Sequence, residues 1–231
     1  MKLVHSSIAE TGGTGWDGKA KAGDQTGKEV CVRSWYSKPW DIMLRYPDKT
    51  IAEKAASAAV KLANSNLVGY DQSERNTLYK ALKAVNFDVD AYIKSGKKTE
   101  TDCSAFVYAV YCCFIPNMRY DDNAPVTSNM RYLYKKWGFS VNTGSGYLSG
   151  NNLINGDILV NESAHTAIAT DGNAGSTSSV NIIDIPLYGA DVDAALKVIA
   201  RDVINGCWGN GNDRKEKLYV AIQKRVNNLL K

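Results

Sequence analysis

Five cysteines, at positions 31, 103, 112, 113 and 207, and two histidines, His5 and His165, carry most of the chemistry open to this chain. A thiolate is a strong nucleophile. An imidazole beside it takes the thiol proton and later returns it to a leaving amine. Cys103 stands apart from the other cysteines. In the run Thr101-Asp102-Cys103-Ser104-Ala105-Phe106, Thr101 or Asp102 caps a helix, and Cys103 falls in its first turn. There the helix dipole and unpaired N–H groups favour a thiolate. Cys112 and Cys113 come late in the same helix, where the dipole opposes one, while Cys31 lies in a strand and Cys207 in a turn. His165 opens a short strand, Thr166-Ala167-Ile168-Ala169. A third polar group should orient its ring. Asp184, after Ile182-Ile183 on the next apolar segment, is the first choice and Asn181 the second. Spacing alone leaves the other Cys–His pairings open, since buried free cysteines usually act as small apolar fillers.

Two histidines and no Cys-x-x-Cys pair exclude a closed zinc site. No metal or cofactor is expected. Five is an odd count, and adjacent Cys112-Cys113 is no disulfide framework, so the thiols are read as free in a reducing compartment. With 231 residues, 44% apolar and 23% charged, the chain is long enough for one medium domain and a small appendage. No stretch approaches the apolar length of a membrane span. The first residues lack the apolar run of a secretory signal, which implies synthesis in the cytoplasm without export by that route.

The elements that must position Cys103 and His165 read as helices first and strands later. Residues 1–50 alternate glycine-rich turns with aromatics, and Glu29 to Arg33 has the period of a half-buried strand. Trp35, Tyr36 and Trp40, around Pro39, read as a cluster packing a loop on the body, with a substrate-facing wall as the alternative. Helices are expected over 51–63, 73–85, from about 102 to Pro116, and 127–138. The helix headed by Cys103 is apolar nearly all round and must be buried. Strands follow at 156–160, 166–169 and 180–185, then two helices over 192–205 and 213–230. That order defines an α+β domain over 1–186, with residues 1–50 as a β-rich extension packed on it, and a small helical module over 187–231.

Charge divides the same way. The net +4 resides entirely in residues 192–231, which hold eight basic and four acidic side chains. Such a tail suits an anionic partner, or is simply a solvated helical face. It lacks the basic stripe interleaved with aromatics expected of a nucleic-acid binder.

Asp102-Cys103-Ser104, Gly156-Asp157-Ile158-Leu159 and His165-Thr166-Ala167-Ile168, in this order, resemble the NlpC-type cell-wall cysteine peptidases and the related peptidoglycan amidases of phage endolysins. The resemblance implies a papain-like fold, in which the cysteine heads a buried helix packed on an antiparallel sheet that carries the histidine. It implies Cys103, His165 and Asp184 as the catalytic set. The segment Val68-Gly69-Tyr70-Asp71-Gln72-Ser73, with Arg75, is similar to one that precedes the cysteine in such lysins, which assigns Tyr70 and Asp71 to substrate contact. Residues 198–227, with Trp208-Gly209-Asn210-Gly211 and Arg214, resemble a helical cell-wall-binding repeat of phage lysozymes. That implies glycan contacts by Trp208 and Arg214, although Trp208 suits a helix–helix plug equally well. The copy is single and appears shortened between Leu218 and Ala221. Together the two resemblances imply a peptidoglycan hydrolase with no nucleic-acid partner and no membrane insertion. It would cleave either the N-acetylmuramoyl–L-alanine amide or a stem-peptide bond. The alternative is a non-catalytic wall-binding protein on a papain-like body.

Overall fold

The computed structural model describes residues 1–9, 21, 23, 25–119 and 121–171. The chain divides into two units, Met1–Ser176 and Thr177–Lys231. The described residues all belong to the first, so the expected strand at 180–185 and both C-terminal helices lie outside them.

The first unit is an α+β domain built on one antiparallel sheet. Its strands are β1 (Lys2–Ser6), β2 (Val30–Ser34), β3 (Ile42–Arg45), β6 (Ser140–Asn142), β7 (Ile158–Asn161) and β8 (His165–Thr170), in the order β2-β1-β8-β7-β3-β6. Residues 1–50 are therefore part of the sheet and not a layer laid on it. They supply three of its six strands, including β1, which pairs directly with β8. Alternation sorts the strand residues into two faces. Val4, Val30, Ile42, Leu44, Ile158, Val160 and Ile168 pack on one face against the helices. Leu3, Met43, Leu159, Ala167 and Ala169 occupy the other, covered by Trp40 and Leu153 with Trp35, Tyr36, Tyr147 and Leu148. The loop aromatics thus close the side of the sheet that no large helix among the described residues covers.

On the helical face lie α1 (Lys49–Asn64) and α4 (Cys103–Cys112). α1 is capped by Asp48, whose carboxylate accepts the N–H groups of Thr50 and Ile51, and it ends at Asn64-Ser65 as expected. Its buried stripe is mostly alanine, which lets it approach the sheet closely. All ten residues of α4 are buried. A helix apolar on every side can exist only inside the core. The expected helix over 73–85 begins later, as α2 (Thr77–Ala84), because Ser73 is held in a turn by the Asp71 carboxylate. Neither α3 (Val89–Ser95) nor the parallel pair β4 (Val68–Tyr70) and β5 (Thr99–Thr101) was expected from local pattern. That pair sets Tyr70 opposite Thr101, two residues before Cys103. The aromatic-striped helix is α5 (Thr127–Lys136), and a short α6 (Ser145–Leu148) precedes β7.

The Gly156-Asp157 pair is structural. Gly156 has φ +89°, and a Cβ there would run into the Ala52 backbone of α1. Its carbonyl accepts the Tyr111 hydroxyl. Asp157 takes two hydrogen bonds from Arg45, at 2.7 and 2.6 Å, and one from the Ile154 N–H at 2.8 Å. This fixes the turn that launches β7 and, through the hairpin, β8.

Candidate functional site

Cys103 is the first residue of α4. Asp102 is the cap, its Oδ1 accepting the Ala105 N–H at 2.7 Å and the Ser104 hydroxyl at 3.0 Å. Arg75 holds this cap from outside. Its Nε and Nη2 donate to the two Asp102 oxygens at 2.5 and 3.2 Å, and Nη2 also reaches Ser104 Oγ at 2.8 Å. Nη1 donates to the Ala124 carbonyl, and Nη2 is shared with the carbonyl of Pro125. A planar five-donor fork is suited to this work, since it ties the start of α4 to the loop before α5 in one fixed geometry.

The backbone N–H groups of Ser104 and of Thr166 in β8 lie near the Cys103 sulfur and favour its thiolate. The second places Cys103 beside β8, at the residue that follows His165. β1 pairs with β8 from Lys2–Thr170 to Val4–Ile168. Continuing that register would set Ser6 opposite Thr166, but the Thr166 N–H is directed at the sulfur instead. By alternation His165 shares its face with Ala167 and Ala169, the side away from the helices. The nucleophile candidate reaches the neighbourhood of His165 only because it heads its helix at this point of the sheet.

His165 is buried, 3% exposed. Its Nε2 lies 3.2 Å from His5 Nδ1 and 3.0 Å from the Tyr36 hydroxyl, and Tyr36 in turn lies 2.9 Å from His5 Nδ1. His5 and His165 are diagonal neighbours on one face of the β1–β8 pair. Trp40 stacks on His165, with centroids 6.2 Å apart and planes at 26°. The preceding turn is fixed by Asn161, which donates to Pro39 O at 2.5 Å and accepts from Ser163 N–H and Oγ. One asparagine therefore anchors both the histidine's turn and the aromatic loop.

The electrostatics differ from the expectation for a helix N-terminus. Burial pushes the Cys103 thiol up to about 11, and the neighbouring Asp102 carboxylate adds to this. The Thr166 and Ser104 N–H groups and Arg75 pull the other way. A helix dipole offers about 0.3–1 kcal/mol, up to about 2 in partly buried sites. Desolvating a charge in a site 8% exposed costs several. Burial also lowers the His165 imidazole to about 3, helped by Lys38 and Arg33, and moves His5 in the same direction. At neutral pH the resting groups are a thiol and two neutral imidazoles.

Of the residues singled out in the sequence, Cys103 lies near Tyr70 and beside Thr166, the residue after His165, while the His165 ring is engaged by His5, Tyr36 and Trp40. Tyr70 ends β4, and its phenol is raised to about 12 by burial and by the proximity of Cys103 and Asp102. Asp71 is engaged in its own turn with Ser73. Asp184, Asn181, Trp208 and Arg214 lie outside the described residues. Sequence reasoning missed His5 and left Tyr36 as general packing. The available signal was the alternation of Leu3-Val4-His5-Ser6 in an otherwise apolar N-terminal strand. The described cysteines, Cys31, Cys103, Cys112 and Cys113, are free thiols. No group of three or more metal-ligating side chains occurs among the described residues.

The described unit is an α+β domain with Cys103 at the head of a buried helix and His165 on the antiparallel sheet. The comparisons give the family. The chain matches the endolysin-like domain over residues 3–176 and a CW_7 repeat, a cell-wall repeat, over 197–230. It belongs to the endolysin-like domain family, which points to an endolysin acting on bacterial peptidoglycan and bound to the wall through its repeat. Neither the characterised proteins nor the solved structures gave a match.

Proposed function

We propose that the protein is a thiol-dependent peptidoglycan hydrolase of papain-like type, with Cys103 as nucleophile and His165 as the proton carrier. The observation that carries this reading is the convergence on Cys103: a helix start, an N–H from the residue after His165, and an otherwise apolar burial. His165 takes the Sγ proton as sulfur attacks the amide carbon, forming the C–S bond and a tetrahedral oxyanion. Collapse breaks the C–N bond, and the imidazolium gives its proton to the leaving amine. Water then cleaves the thioester, with His165 taking a water proton and returning it to sulfur. The N–H group of Cys103, at the first position of α4, has no carbonyl partner in the helix ladder and supplies a donor for the oxyanion. Because the resting pair is neutral, proton transfer accompanies attack and is not completed before it.

His5 and Tyr36 hold His165 at Nε2 and leave Nδ1 for the thiol proton. Asp184, by the resemblance, is the other candidate orienting group. Tyr70, near the sulfur, and Asp71 serve as substrate contacts. Trp208 and Arg214 serve the wall-binding repeat. The bond cleaved is the muramoyl–L-alanine amide or a stem-peptide amide. The raised thiol is the one feature that suits a non-catalytic wall binder.

Purified walls separate these readings. Digestion should release new amino and carboxyl ends, identified by mass spectrometry, and should persist in the presence of a chelator. A release that stops on chelation, or that survives in Cys103→Ala, sinks the thiol mechanism. Removing residues 192–231 should preserve cleavage of soluble fragments and weaken lysis of intact cells. Equal lysis by the truncated chain would show that the repeat does not target it.

A further inference from the structure

Resting on the thiol-hydrolase reading, we propose that Arg33, seconded by Lys38, forms a carboxylate subsite beside His165, so that the preferred substrate carries a free carboxylate on the residue flanking the scissile amide. Arg33 lies on β2 opposite Leu3, on the same sheet face as His5 and His165. Its guanidinium rests over the Tyr36 ring, 4.3 Å from the centroid, and the Tyr36 hydroxyl touches His165. The group is thus fixed by stacking next to the reacting centre.

What it lacks is an acceptor. Among the described residues, Arg45 pairs with Asp157, Arg75 with Asp102 and Arg131 with Glu162, while Arg119 donates to the carbonyls of Cys112 and Cys113. Arg33 alone of these five arginines makes no ion pair or hydrogen bond, and its Nη1 is buried without a partner. A buried guanidinium N–H left unpaired is costly, and such groups are normally satisfied. Lys38 is likewise outside every ion pair of the described residues, and its charge, with that of Arg33, bears on both His5 and His165. Two cations with no counter-charge among the described residues, beside the catalytic candidate, form a site for an anion. A planar fork held flat on an aromatic ring matches a carboxylate.

The chemistry of the wall then discriminates between bonds. In the muramoyl–L-alanine linkage neither flanking group bears a free carboxylate. In a stem in which glutamate is linked through its side chain, the α-carboxylate stands free beside the scissile carbonyl, and in some walls it is amidated. The inferred subsite favours the free acid over the amide and the stem bond over the muramoyl bond.

The test uses two synthetic peptides, L-Ala–γ-D-Glu–L-Lys and its isoglutamine counterpart. Binding to the full-length Cys103→Ala protein is measured by calorimetry, which does not depend on catalysis. The acid should bind roughly ten- to hundredfold more tightly than the amide. Arg33→Gln in the same background should reduce that ratio to near one, Arg33→Lys should keep part of it, and Lys38→Gln, at a half-buried position, should reduce it partly. Near-UV circular dichroism and melting check the fold of each variant, and Lys38→Gln with Arg33→Lys carries the test if Arg33→Gln does not fold. Equal binding of the two peptides, no measurable binding of either, or a ratio unchanged by these substitutions overturns the subsite. Turnover of either peptide by Cys103→Ala instead overturns the thiol mechanism, so the two failures are distinguishable.

Discussion

Helix α4 carries cysteines at both ends, and their surroundings differ. At the start, Cys103 meets the N–H groups of Ser104 and Thr166 and the Arg75 guanidinium, all favouring the thiolate. At the end, Cys112 is fully buried and pushed up further, and Cys113 is raised to about 12, with Arg119 as the opposing charge for both. All three are buried and all three are raised. Burial therefore sets the direction for each cysteine, and helix position sets the difference between them. The head of the helix does not create a resting thiolate. It keeps the thiol within reach of donors that stabilise the developing charge once a base removes the proton.

The largest expected effect tests that difference directly. Cys103→Ala should lower wall lysis by roughly a thousandfold or more, as for other covalent nucleophiles. Cys112→Ala and Cys113→Ala should leave lysis within a few-fold and cost about 1 kcal/mol of stability through lost packing. Comparable loss of lysis from Cys112→Ala would remove the distinction between the two ends.

The next effect concerns the imidazole. His5→Phe removes the Nδ1 contact to His165 and should lower turnover roughly tenfold to a hundredfold. Asp184→Ala, by analogy with orienting groups in catalytic triads, should cost tenfold to a thousandfold. Measured side by side, the two rank the candidates. A small loss in both would leave Tyr36 as the group holding the ring.

Arg75→Met should act through the cap. It leaves the Asp102 carboxylate uncompensated one residue from the sulfur. The pH at which Cys103 is half-alkylated, followed by peptide mass spectrometry, should rise, and turnover should fall about tenfold. Adding Asp102→Asn should bring the alkylation profile back toward the parent. If Arg75→Met lowers the melting temperature and leaves the alkylation profile unmoved, Arg75 is a strut without influence on the thiol.

The smallest effect is on stability. His165 is lowered to about 3 and His5 is lowered well below its ordinary value, both first by burial. The unfolded chain, with imidazoles near about 6.5, binds protons before the folded one does. Their contribution is complete above about pH 6.5 and is lost as pH falls toward 3. Denaturant melts between pH 7.5 and 5 should show this slope before the carboxylates titrate. His165→Gln should flatten it, and an equal slope in that variant would assign the acid sensitivity elsewhere.

Much of the scaffold was legible. The helix from Cys103 could be read because Asp102 is a capping residue and ten apolar or small residues follow without a polar face. The strand at Val30 was visible in its alternation, those at Ile158 and Thr166 in their short apolar runs, and the end of α1 in Asn64-Ser65. The Cys103–His165 candidate pair was reached from residue types, cap logic and resemblance together. The pairing of β1 with β8 was not legible, because antiparallel partners separated by some 160 residues leave no local trace in periodicity. Nor was the shortening of α2, where one Asp71 side chain redirects a segment of good helix formers.

By itself the sequence determined local choices: which residues cap, which alternate, which helix must be buried, and that Cys103 begins it. These depend on propensities and periods that act over a few residues. Only the tertiary structure decided that His5 and Tyr36 meet His165 and that Arg33 has no acceptor among the described residues. It also decided that burial outweighs the helix dipole at Cys103. Each of these is set by what surrounds a group in three dimensions, and desolvation and hydrogen-bond partners are properties of the assembled environment.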